Sequence, residues 1–180
     1  MRILICGVGN VLRADDAFGV EVARRMEGMD LPKGVKVIET GIGGIAIVQE
    51  LQRGYDALVV VDCVDQGRPP GRVMMIVPEV IDVNAVSLDK RMDLLADMHL
   101  AKPERVFMLS KALGVLPEET IMVGVQPEDA ETPGAPMTAT VEAAIDVAIA
   151  EILRHVDELR AKDKAAKAAK AARAGGAGKS

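Results

Sequence analysis

Ile3-Leu-Ile-Cys-Gly-Val8, followed by Gly9-Asn10 and then by Asp15-Asp-Ala-Phe-Gly-Val-Glu-Val-Ala-Arg-Arg-Met26, decides the fold. Six uncharged residues in an unbroken apolar pattern predict a strand buried on both faces, as in parallel sheets covered by helices. Phe18 to Met26 has the spacing of an amphipathic helix. Asp15-Asp16 gives it an acidic start, where one aspartate caps the helix and the other faces a cleft.

Outward from there the alternation repeats. Val35 to Ile38 reads as a second strand, Thr40 to Gly44 as a turn and Ile45 to Arg53 as a second helix. Ala57-Leu-Val-Val-Val61 is the clearest buried strand and ends at Asp62. Arg72 to Val77 is a fourth strand. The connection from Cys63 to Gly71 is too short for a parallel crossover, so this strand is expected antiparallel at an edge. Residues 78–98 have mixed polarity and no firm period. Pro103 opens a helix over Glu104 to Leu113, closed by Gly114. Thr120 to Val125 is the fifth strand, and 128–137 a loop with Pro133, Gly134 and Pro136. Thr140 to Leu159 is a long helix whose stripe holds Val141, Ala144, Ile145, Ala148, Ile149, Ile152, Leu153 and Val156. The pattern predicts an α/β fold: a three-layer α/β/α sandwich on a mostly parallel five-stranded sheet with one antiparallel edge strand.

The 180 residues are 49% hydrophobic, enough for one core. One Tyr, two Phe and no Trp leave no stacking platform for single-stranded nucleic acid. The net charge of −5 is uneven. Arg160 to Ser180 carries a balance of +6, which leaves −11 on the first 159 residues. An acidic body argues against broad phosphate-backbone binding, so no nucleic-acid partner is expected. Residues 1–160 read as one α/β domain. Residues 161–180 read as a basic, Lys/Ala-rich flexible tail with nothing larger than Ala to bury. Cys6 and Cys63 stand far apart in different apolar runs and form no disulfide framework, which suits a reduced, cytoplasmic protein. No run is long enough to span a membrane, and the apolar start is too short for a signal peptide.

In sheets of this kind ligands bind outside the carboxyl ends of the strands. Gly7-Val-Gly9-Asn10 invites a dinucleotide reading, but Leu12 stands where that loop needs glycine, and Asp15-Asp16 would repel a pyrophosphate. Asp62, at the end of the most apolar strand, would be partly desolvated and is a candidate ligand or base. Asp65 reads as a turn residue and Cys63 as pointing into the core. Of the two histidines, His155 lies on the last helix and His99 in an irregular segment. Asp16, Asp62 and His99 would make an O,O,N metal site, though their spacing matches no local metal motif.

The series as a whole resembles the hydrogenase maturation endopeptidases, which trim the large subunit of nickel–iron hydrogenases. Gly7-Val-Gly9-Asn10-Val-Leu12-Arg-Ala-Asp15-Asp16 is similar to that family's G-x-G-N-x-L-x-x-D-[DE] segment. Val60-Val-Asp62 with Gly71 to Ile76, Leu116 to Glu128, and Met137 to Ile145 resemble its later blocks, and His99 matches its histidine in order and approximate position. Asp97-Met98 stands where many members have Ser-Pro. The resemblance covers about residues 1–157 and implies an α/β/α sandwich with metal-interacting residues at Asp16, Asp62 and His99. It implies catalytic roles for Asp16 and Asp62. It also implies nickel supplied by the substrate precursor rather than a permanently bound metal, a hydrogenase large-subunit precursor as partner, and removal of a short C-terminal extension. No Ser or Cys nucleophile with a base partner is evident, which favours attack by water, activated by a carboxylate or by a metal. The rival is a non-catalytic metal or cofactor chaperone for hydrogenase assembly using the same ligands.

Overall fold

The computed structural model describes residues 1–82, Ala85 and 103–176, with side chains through Ala172. Strand β1 is Ile3–Val8, helix α1 Phe18–Glu27, β2 Val35–Gly41, α2 Ile45–Leu51, β3 Ala57–Cys63, β4 Val73–Ile76, α3 Pro103–Ala112, β5 Glu119–Val125 and α4 Ala139–Gly176. A 3-10 turn, Ala14–Ala17, leads into α1.

The five strands lie in the order β2-β1-β3-β5-β4. β1 pairs in parallel with β2 and β3, and β3 with β5, while β4 runs antiparallel to β5 at the edge. The antiparallel edge follows from the short connection between β3 and β4, which cannot recross the sheet.

Two apolar layers flank the sheet. Ala57, Val59 and Val61 of β3 pack with Phe18 and Val22 of α1 and with Val141, Ile145 and Ile152 of α4. Leu58 and Val60, pointing the other way along the same strand, pack with Ile47 and Leu51 of α2 and with Val106 and Phe107 of α3. The alternation of a strand thus divides one apolar run between two cores, which is why β3 shows no polar–apolar period. The stripe read along α4 is buried from Val141 to Val156, with Leu153 half-buried. The change in composition near 160 coincides with the end of that stripe and not with the end of the helix: Leu159 is buried, and α4 continues to Gly176. From Ala161 to Ala172 its side chains are exposed except the half-buried Asp163.

At Gly19 the backbone of α1 comes directly against the sheet. A Cβ at Gly19 would lie 2.2 Å from the carbonyl oxygens of both Val8 and Val61. This contact brings the start of α1 against the carboxyl ends of β1 and β3, and with it the aspartates just before the helix.

Candidate active site

Asp62 ends the even-numbered face of β3 and is 8% exposed. Among the described residues its hydrogen-bond donor is the Cys63 amide, 2.8 Å from Oδ1. Burial pushes the carboxyl up to about 8 against that hydrogen bond, and the charges of Asp16 and of Glu104, at the start of α3, push it further. Asp16 sits half-buried in the 3-10 turn. Burial raises its pKa too, opposed by a hydrogen bond from the Asn10 main chain and by Arg13. The structure therefore brings Asp16 and Asp62 into one electrostatic neighbourhood. They reach it from a turn and a strand end separated by 46 positions.

Such a pair suits proton transfer, because burial raises both carboxyls, Asp62 to about 8, toward the range where a proton is gained and lost. It also suits a cation, whose charge would reverse the repulsion. His99 lies outside the described residues, and among the described residues no group of three His, Cys, Asp or Glu could hold a metal ion. Two of the three residues of the expected ligand set, the carboxylates, are what the structure describes.

Neither aspartate caps α1: Ala17 holds the N-cap position and no side chain bonds there. Asp15, fully buried, turns away from the helix and accepts main-chain N–H groups from Glu128, Asp129 and Thr138. Its neighbour's side chain is the one left for the site. The Asp-Asp doublet carried a signal that two carboxylates divide their work, but the partners of Asp15 lie more than a hundred residues away and could not be read locally.

Gln126, just past β5, falls inside the Leu116 to Glu128 block, but its contacts were not visible in the sequence. It is 5% exposed, and its Oε1 accepts from the Gln66 and Arg68 amides at 2.8 and 3.0 Å, while Nε2 donates to Asp65 at 2.9 Å. One side chain thus shapes the loop that follows Asp62. Asp65 is the turn residue expected, accepting from the Gly67 amide. Cys63 packs against the core as expected, and its thiol is pushed above its ordinary range by burial and by Asp62 and Asp16. It has the opposite of the environment that activates a thiolate. His155 is half-buried on α4, with its pKa lowered by burial. On the other flank of the 3-10 turn, a groove of about 440 Å³ runs between Val11-Leu12 and Thr40-Gly-Ile42, with Leu12 and Ile42 69% and 66% exposed. No helix among the described residues is long and apolar enough to cross a membrane.

A strand-end carboxylate, a second one on the turn before α1 and a doubly covered, mostly parallel sheet define a class that comparison with known proteins names. The hydrogenase maturation protease family matches residues 20–155. The hydrogenase expression/formation protein HupD of Rhodobacter capsulatus is 35% identical over 89% of this chain and 72% of its own length. The hydrogenase 2 maturation protease of Escherichia coli K12 is 31% identical over 88% and 92%. The solved structure of the hydrogenase maturating endopeptidase HybD from E. coli superposes with a TM-score of 0.69 at 28% identity, covering 88% of this chain and 93% of that one. The chain belongs to the hydrogenase maturation protease family.

Proposed function

We propose that this protein is a cytoplasmic endopeptidase that removes a short C-terminal extension from the nickel-loaded large-subunit precursor of a nickel–iron hydrogenase. The observation that carries the reading is the coupled pair of desolvated carboxyls, Asp16 and Asp62, at the carboxyl edge of a fold whose family is hydrogenase maturation proteases. Asp16, Asp62 and His99 contact nickel that arrives in the precursor. Two carboxylates and an imidazole leave coordination positions open for the substrate's own ligands, so the ion is part of the substrate. Water attacks the scissile carbonyl, one carboxylate of the pair takes the proton, and the same group returns it to the leaving amine. The raised pKa of Cys63 supports water over a thiolate nucleophile. The exposed apolar side chains beside the groove at Leu12 and Ile42 offer an extended peptide a surface next to Asp16.

The test uses chelator-treated enzyme with nickel-loaded and nickel-free precursor, read by mass spectrometry. Loss of a C-terminal peptide from the loaded precursor alone is expected. Equal trimming of nickel-free precursor would refute the substrate-nickel reading. Nickel-dependent binding with no mass change would favour the chaperone.

A further inference from the structure

Asp15 is buried next to Asp16 in sequence, and its carboxylate is taken up by main-chain N–H groups of another segment. A carboxylate is costly to bury unless its lone pairs are filled. Here Oδ2 accepts from the Glu128 and Asp129 amides at 2.9 and 2.8 Å, and Oδ1 from the Thr138 amide at 2.7 Å. All three donors belong to the single loop between β5 and α4. The main chain adds three more ties between the same segments: Asp15 N to Asp129 O at 2.9 Å, Ala14 N to Ala135 O at 3.2 Å, and Gly134 N to Leu12 O at 2.8 Å.

The held segment is strained. Ala14 has φ +30°, a region that L-residues avoid, and it is 2% exposed, so it has no room to relax. Asp16 follows two residues later. Its N–H donates to Arg13 O at 2.8 Å and its carbonyl accepts from Asn10 N at 3.1 Å, which ties its main chain into the same turn.

We propose that Asp15 is a positioning residue for Asp16: by fastening the 128–138 loop across the turn, it holds Ala14 in its strained conformation and thereby aims the Asp16 carboxylate at the site. The proposal rests on the proteolytic reading above. Asp15→Asn keeps the shape but turns an amide N–H toward at least one of the three donor N–H groups, so the clamp loosens without leaving a cavity.

The experiment follows cleavage of nickel-loaded precursor by wild type, Asp15→Asn, Ala14→Gly and the double variant, with folded fraction checked by circular dichroism. Asp15→Asn is expected to lower kcat at least tenfold while KM stays within about threefold. Ala14→Gly in that background is expected to recover several-fold, because glycine adopts positive φ without strain. Undiminished kcat in folded Asp15→Asn overturns the proposal, as does a loss carried by KM or an absence of rescue. If Asp15→Asn does not fold, Gly134→Ala supplies the second probe. It strains the loop at φ +72°, where an added Cβ meets nothing within 4 Å, and it should lower kcat in the same sense. Unchanged kcat there also overturns the proposal. Wild-type enzyme that leaves the precursor intact overturns the proteolytic reading instead.

Discussion

Asp62→Asn should abolish processing and make the metal-free protein more stable. The folded carboxyl titrates at about 8, whereas an unfolded aspartate titrates near 3.8. Between those values the folded state binds more protons than the unfolded one, so the stability of the wild type falls as pH rises through the window. Asparagine does not titrate, and its side-chain oxygen still accepts from the Cys63 amide. The two proteins should therefore match near pH 4 and diverge as pH rises. At about 1.4 kcal/mol per unit, the gap has a ceiling of about 4 kcal/mol at pH 7 and stops growing above the folded pKa of about 8. Urea unfolding of both proteins at pH 4, 5.5, 7 and 8.5, with chelator present, measures it. A gap that does not widen with pH, or a wild type more stable than the variant at pH 8.5, would show that Asp62 is stabilised by partners inside the fold and is a structural residue.

Gly19→Ala should destabilise by about 1–3 kcal/mol and slow processing, because its Cβ would sit 2.2 Å from two carbonyl oxygens and push α1 off the strand ends; unchanged unfolding midpoints would contradict the close approach. Ile152→Ala empties a fully buried position and should cost about 2–5 kcal/mol, whereas the 53%-exposed Val147→Ala should stay within about 0.5 kcal/mol, both read by urea titration. Cys63→Ser should keep most of the processing activity in a mass-spectrometric assay, since the thiol is held in its neutral form; inactivity of a folded variant would reopen a thiolate mechanism. Removing residues 164–180 should change stability by less than about 1 kcal/mol, because the side chains described beyond Asp163 are exposed; a large drop in Tm would show that they dock.

The central strands were legible because β1, β3 and β5 are short apolar runs, and the spacing between runs separates helical crossovers from the short link that leads to an antiparallel strand. β4 needed no propensity argument beyond the length of the Cys63–Gly71 connection. Asp62 was legible for the same reason, as a charge closing an apolar run. What sequence could not give was the division of labour at Asp15-Asp16. Helix capping is a local rule, and it named a local partner. The structure instead satisfies Asp15 with donors 113, 114 and 123 residues away, which overrides capping because three charge-assisted bonds outweigh one. Gln126 was hidden in the same way, its partners being 58 to 61 residues back along the chain. α4 runs on to Gly176, past the end of its apolar stripe, because Lys/Ala sequence has high helix propensity even where it buries nothing.

The loop leaving β5 fastens both carboxylate-bearing segments, Asp15 holding it on one side and Gln126 reaching back to the other. This has a consequence for synthesis. A nascent chain that has emerged only to residue 110 already contains Asp16, Asp62 and His99, yet it lacks every donor to Asp15 and the side chain that shapes the loop after Asp62. Chains fold from the amino terminus as they emerge, and long-range contacts close late. The carboxylates are thus made early and aligned last, and a growing chain carries an unassembled site until most of its own length has been translated.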